Sequence, residues 1–304
     1  MIVLNAIIPL VILIFLGSIL KFSGIINENF LKTSDKLVYF IFFPVMLFWK
    51  IGSSSTDSGV SINLCIAVII SVLIVYLLSI AAIFLFNISS FQAGAFSQAC
   101  YRFNTYIGMA VVMTTLGEQG VRYFGLLIGF VIPVINVLAV GTLIWHSGEK
   151  GNFGENALSL LKALLYNPLI IGSVAGVLFS RFNFFFPVSI DNTFRLMTSV
   201  TMPLALISIG GSLRFAGLKQ NSKNSLIAAT LKIIILPLLG FFLLKMFSVD
   251  GVPFKAGMIF FALPTSTAIF ILSAQLNSDT ELASAAIFLS TLLSFISLSV
   301  ALLL

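Results

Sequence analysis

A chain of 304 residues that is 59% hydrophobic, only 9% charged and has a mean hydropathy of +1.15 is not a soluble domain, which carries about 25% charged residues. It reads as an all-α membrane protein. The formal net charge of +6 does not indicate nucleic-acid binding, because the basic residues are scattered at helix ends without forming a stripe or patch.

Lipid offers no partner for backbone N–H and C=O groups, so each crossing needs roughly 20 mostly apolar residues in a helix that satisfies its own. Ten segments qualify: Ile2 to Leu20, Lys36 to Ile51, Ile62 to Phe86, Phe91 to Leu116, Tyr123 to His146, Leu158 to Phe179, Thr193 to Leu213, Asn224 to Phe247, Pro253 to Leu276 and Leu282 to Leu303. The connections are short and leave no room for a soluble domain. The opening MIVLNAIIPLVILIFLGSIL lacks a basic leading region and a small-residue cleavage site, which predicts a retained first span and not a signal peptide.

Loops after the odd-numbered spans carry Lys21, Lys32, Lys36, Lys150, Lys162, Arg214, Lys219 and Lys223, eight in all; the opposite face carries six, Lys50, Arg122, Arg181, Arg195, Lys245 and Lys255. Positive residues favour the cytoplasm, so both termini are expected outside a plasma (inner) membrane. Cys65 and Cys100 lie within apolar spans with no second Cys or His at ligand spacing; they read as small hydrophobes, and no metal or cofactor is expected.

The polar link SGEKGNFGENA, Ser147 to Ala157, divides the chain into residues 1–150 and 151–304, with five spans each. Pro9 and Gly17 match Pro168 and Gly176 at a shift of 159 (168 − 9 and 176 − 17), and Pro44 and Gly52 match Pro203 and Gly211 at the same shift. An odd number of spans per half makes the second half enter the membrane from the opposite side. Inverted repeats of this kind mark secondary transporters, whose sites lie near the midplane on interrupted helices.

The fourth span of each half contains a polar knot. In span 4 it is Arg102, Asn104 and Thr105, followed by Gly108; in span 9 it is Pro264, Thr265, Ser266 and Thr267, and Ala93-Gly94 and Ala256-Gly257 anchor the two at a shift of 163 (256 − 93). Pro264 breaks a helix, and a hydroxyl or amide after the break can cap the half-helix that restarts. Such a restart offers free N–H groups and the positive end of a dipole, an anion site inside the membrane. The alternative is a proline kink whose hydroxyls bond back to preceding carbonyls.

Arg102 falls near the bilayer centre, where an unpartnered guanidinium costs about 2.5–3.5 kcal/mol on insertion scales. All ten acidic residues read as belonging to loops or helix ends, which leaves Arg102 to backbone carbonyls, water or an anionic ligand and argues against an antiporter built on an intramembrane Asp. Lys232, inside span 8, either snorkels or joins the site. Asn136, midway along span 5, either reaches the break or bonds a neighbouring helix. An intramembrane hydrolase is the less favoured reading: the only histidine, His146, sits at a helix end, and no membrane carboxylate or Cys/His pairing is there to activate a Ser.

The stretches FPVMLFWKIG, NTYIGMAVVMTTLGEQG, YNPLIIGSVAGVL, MPLALISIGGSL, LKIIILPLL and ALPTSTAIFILSAQLNSDTELASAAIFLSTLLS resemble the auxin efflux carrier family, which includes plant auxin exporters of the PIN type and bacterial organic-acid permeases. The resemblance spans nearly the whole chain and implies a fold like that of bile-acid and sodium/proton transporters. By it, spans 1, 2, 6 and 7 form a scaffold often used for dimer contacts; spans 3–5 and 8–10 form a moving transport domain in which spans 4 and 9 cross at their breaks. The family's crossover residues map onto Asn104 and Thr105, and onto Pro264, Thr265 and Ser266. Relatives with a proline before the asparagine differ from this chain, which has Phe103 there, so the first break is expected to be less sharp or held by Asn104 and Gly108 alone. The plant carriers' long loop between spans 5 and 6 is missing.

The expected function is secondary transport of a small organic anion, a mono- or dicarboxylate, by elevator-type alternating access, with a homodimer through the scaffold and membrane lipid as partners. The alternatives are a cation-coupled carrier of a neutral or amphipathic solute, with Arg102 structural, and a passive channel.

Overall fold

The computed structural model describes residues 2–53, 61–147, 165–182, 184–213 and 218–304. Most of the polar link, the predicted start of span 6, and Lys150, Lys162 and Arg214 lie outside the described residues. All regular structure within them is helical: α1 Ile2–Phe22, α2 Glu28–Leu37, α3 Phe43–Gly52, α4 Ile62–Leu85, α5 Ser90–Tyr101, α6 Thr105–Thr115, α7 Gly117–Ser147, α8 Pro168–Arg181, α9 Val188–Ser212, α10 Ser222–Thr230, α11 Leu236–Met246, α12 Gly251–Ala262, α13 Ala268–Gln275 and α14 Thr280–Leu303. Five continuous helices, Ile62–Leu85, Gly117–His146, Val188–Ser212, Ser222–Met246 and Thr280–Leu303, are long and apolar enough to cross a membrane by length and composition. The protein is an all-α, multi-pass membrane protein.

One span begins where the apolar count did not place it. Helix starts at Glu28, not Lys36, because the Asn27 side chain caps it, accepting from Phe30 N at 2.9 Å. Only Leu31 and Ser34 of α2 are buried, so Glu28, Lys32 and Lys36 hide the helix from a hydropathy reading. A π-helical turn, Val38–Phe42, carries it into α3. At the sixth span, the Asn167 side chain accepts from Leu169 N and Ile170 N, and helix α8 starts at Pro168. Asn before a first-turn Pro is a strong start signal.

With Asp35 inside this continuous helix, the placement of every acid at a loop or helix end is corrected. Asp35 is half-buried and accepts a short hydrogen bond from Ser208 of α9. At the other end of the same helix pair, Trp49 Nε1 donates to Asp191 at 2.7 Å. The two donors, Trp49 and Ser208, are 159 residues apart (208 − 49). Asp279 is buried, capping α14 through Glu281 N and Leu282 N, and receives a bond from Gln92 at 3.1 Å.

The helices meet through glycines. A Cβ on Gly17 of α1 would lie 2.1 Å from Ile207 O of α9, and one on Gly176 of α8 would lie 3.0 Å from Phe48 O of α3. These contacts are copies of one another at the same 159-residue shift (176 − 17 and 207 − 48). Without Cβ atoms the backbones come close enough for dispersion along the whole contact, the main source of helix association in lipid.

A second match relates the interrupted spans. After α4, Asn87 takes φ 51° and Ile88 N closes on Ile83 O at 3.0 Å; after α11, Ser248 takes φ 53° and Val249 N closes on Leu244 O at 2.9 Å. The turns are 161 residues apart (248 − 87), as are the 12-residue helices α5 and α12 that follow (251 − 90). The register across the interrupted spans is therefore 161, and the Ala-Gly anchor at 163 is corrected.

Candidate functional site: two helix breaks that touch

Helix α5 ends at Tyr101 and α6 begins at Thr105; α12 ends at Ala262 and α13 begins at Ala268. Arg102 turns the chain out at φ −66°, ψ 148° and Leu263 does so at φ −65°, ψ 147°, again 161 residues apart (263 − 102). The first break is as sharp as the one that contains Pro264. Phe103, in place of a proline, is buried against Phe260 and Phe124, with ring centroids 4.3 and 6.3 Å away. Packing of this ring holds the extended backbone that a proline would enforce covalently.

The two breaks bond to each other. Asn104 N donates to Pro264 O at 2.9 Å, and Thr265 Oγ1 donates to Ala99 O at 2.8 Å. Each interruption thus supplies a partner for a backbone group that the other leaves without a helical one, as burial in lipid requires. Thr265 N in turn donates to Ser290 Oγ of α14 at 3.1 Å. Thr265→Val keeps the shape and removes the hydroxyl, leaving Ala99 O short of a donor. A destabilisation of about 1–3 kcal/mol follows, to be read as a lower thermal midpoint of the purified protein; an unchanged midpoint would show the crossing does not depend on this bond.

The knot residues divide their tasks. Asn104 Oδ1 accepts from Tyr106 N at 3.1 Å and Ile107 N at 3.2 Å, capping α6. Ser266 Oγ accepts from Ala268 N at 3.3 Å at the start of α13. The N–H groups expected to be free are largely taken by these caps, so what the half-helices offer a ligand is mainly the dipole. Pro264 and Thr265 are buried, whereas Thr105, Ser266 and Thr267 are partly exposed. Gly108 N donates to Asn104 O at 3.0 Å, and a Cβ there would lie 2.3 Å from the Phe124 ring and 2.6 Å from Leu263; its smallness lets α7 and the second break close on α6.

Arg102 is 8% exposed. Its guanidinium donates to Asn136 Oδ1 at 2.8 Å and to Gln98 Oε1 at 3.3 Å. Both hydrogen-bond acceptors are neutral, and among the described residues no carboxylate pairs with it. Asn136 therefore reaches the break, where the alternative was a bond elsewhere. Gln98 was missed, although it stands four residues before Arg102, the spacing at which helical side chains meet.

Lys232 does not snorkel. It is 0% exposed, within the π-helical turn Leu231–Ile235 between α10 and α11, and its ammonium has no hydrogen-bond partner among the described residues. It lies beside α5 and outside the hydrogen-bonded crossing.

Compared with known proteins, residues 2–302 match the family model described as membrane transport protein. An uncharacterized transporter of Methanocaldococcus jannaschii is 23% identical over 97% of this chain and 96% of its own length. An uncharacterized transporter of Methanothermobacter thermautotrophicus is 24% identical over 97% of this chain and 95% of its own. A Rhizobium meliloti protein named "Putative malonate transporter" is 24% identical over 62% of this chain and 59% of its own.

Proposed function

Because the chain belongs to the membrane transport protein family, whose model spans residues 2–302, we propose that it is a secondary carrier for small organic anions, a mono- or dicarboxylate. The carrier sits in the plasma membrane with both termini outside. In this reading the ten spans form two inverted five-helix repeats, residues 1–150 and 151–304. Spans 1, 2, 6 and 7 are the scaffold, with a homodimer forming through it. Spans 3–5 and 8–10 move as an elevator past that scaffold to give alternating access. The matched contacts at Gly17 and Gly176 and the matched dihedrals at Arg102 and Leu263 support the repeat.

The observation that carries the anion reading is a buried guanidinium at the meeting point of two helix breaks, held by two amide oxygens and, among the described residues, by no carboxylate. A carboxylate entering beside the partly exposed Thr105, Ser266 and Thr267 would find the positive ends of α6 and α13, with Arg102 supplying the charge that a bidentate pair needs. Asn104, Pro264 and Thr265 hold this cradle open; Lys232 and Gly108 support it from behind. The name of the Rhizobium relative agrees with a carboxylate.

Counterflow in proteoliposomes tests the reading. Vesicles preloaded with malonate, or with a monocarboxylate such as lactate, should accumulate the labelled compound transiently and saturably. Linear, unsaturable entry would make the protein a channel. The bonds from Arg102 to Gln98 and Asn136 favour a second reading, a cation-coupled carrier of a neutral or amphipathic solute with Arg102 structural. Transport that ignores the charge of the solute would select it.

A further inference from the structure

A groove of about 260 Å³ opens between α4 and α7, away from the breaks. Tyr76, Ile80 and Phe84, one helical face of α4, form one wall; Gly141, Thr142 and Trp145 form the other, with His146 at the end. Both walls belong to spans long and apolar enough to cross the membrane. Phe84 and Trp145 on the rim are 72% and 82% exposed, so the groove continues the lipid-facing surface of these two helices and opens sideways into the bilayer.

Its dimensions suit one occupant. Eight residues separate Tyr76 from Phe84, about 12 Å along a helix, against about 15 Å for one leaflet of hydrocarbon. The outer end lies at the last turn of both helices, where Trp and His suit the headgroup level. The inner hydroxyls are already engaged: Thr142 donates to Leu138 O at 2.8 Å, and its oxygen lies 3.4 Å from the Tyr76 hydroxyl, whose proton it can accept. No Lys, Arg, Asp or Glu among the described residues lines the groove, which is mostly apolar, and its volume of about 260 Å³ is too small for a helix of a second copy.

We propose that this groove binds the acyl chain of one membrane phospholipid, whose headgroup rests beside Trp145 and His146. The proposal does not depend on which solute is transported. Bound lipid also touches the break indirectly: the Tyr76 ring meets the Tyr101 ring edge-on at 5.8 Å, and Tyr101 is the last helical residue before Arg102.

Gly141 supplies the test: it lines the groove and nothing lies within 4 Å of a Cβ added there, so the branch of Gly141→Leu starts in open space and its bulk occupies the groove. Native mass spectrometry of detergent-extracted protein should show a phospholipid retained by the parent protein and lost from Gly141→Leu. After delipidation, dioleoylphosphatidylethanolamine in the micelle should raise the thermal midpoint of the parent protein and raise that of the variant by less than half as much. Glycerophosphoethanolamine, the headgroup without chains, should raise neither. Trp145→Ala, a change on the exposed rim that leaves the core untouched, should weaken retention as well. Equal retention and equal stabilisation in the parent protein and both variants would overturn the proposal.

Discussion

Arg102→Ala is expected to cut saturable carboxylate transport by about ten- to a hundredfold while moving the thermal midpoint no further than Thr265→Val does. A hydrogen bond to a charged group is worth about 1.5–3 kcal/mol, and each 1.4 kcal/mol is about tenfold in affinity. The loss falls on solute binding because, among the described residues, Arg102 has no carboxylate partner: removing it strands two amide oxygens, that of the buried Gln98 and that of Asn136. Asn136 is partly exposed and can take water instead. Arg102→Lys keeps the charge but not the planar fork, so an intermediate activity is expected, with selectivity between mono- and dicarboxylates weakened.

Asn104→Ala separates the dipole from the charge. It removes the cap on Tyr106 N and Ile107 N, at a cost of about 0.5–2 kcal/mol, while the backbone bond from residue 104 to Pro264 O remains available. Normal transport in both Arg102→Ala and Asn104→Ala would remove the breaks from the substrate path. A loss in Arg102→Ala that tracks a collapsed thermal midpoint, with no dependence on solute charge, would assign the guanidinium to the fold.

The breaks were legible because polar residues inside an apolar span have few explanations. Asn104, Thr105, Thr265 and Ser266 gave them away without any knowledge of the partner span. What joins the breaks was not legible, since the bond from Asn104 N to Pro264 O uses backbone atoms that every non-proline residue possesses. The sharpness of the first break was misjudged for a related reason: Phe103 works through Phe124 and Phe260, neighbours 21 and 157 positions away (124 − 103 and 260 − 103). The start of α2 was lost because its exposed face is charged, and hydropathy averages over faces. The 163 register rested on an Ala-Gly pair that packs differently in each half: a Cβ on Gly94 would meet Leu143 and Ser278, and one on Gly257 would meet Leu244 and Leu64.

Gly210→Ala is expected to be the most destructive single methyl in the protein. A Cβ on Gly210 of α9 would sit 1.8 Å from Ile14 O and 2.7 Å from the Ile14 carbonyl carbon. Both are backbone atoms of α1, so no rotamer change relieves the clash, and the helices must separate by about an ångström along their length. In lipid that separation is costly because helix association rests on close packing and not on expulsion of water. It also stretches the 2.9 Å bond from Ser18 Oγ to Gly210 O. Overpacking of this kind costs about 1–3 kcal/mol and occasionally more. The glycine contacts then set a ranking for alanine substitutions: Gly210 worst, Gly17 next with Ile207 O at 2.1 Å, and Gly176 milder, because its nearest atoms, Ile51 Cβ at 2.9 Å and Phe48 O at 3.0 Å, need to give only a little. Gly141→Ala, facing open space, should be neutral or stabilising, since alanine is the better helix former by about 1 kcal/mol. Thermal midpoints of the four variants in detergent, together with their yield in the membrane fraction, measure this order. If Gly210→Ala matched Gly141→Ala, α1 and α9 would not approach as closely as their backbones do here, and the contact that Gly17 and Gly176 repeat would lose its force as a mark of the internal repeat.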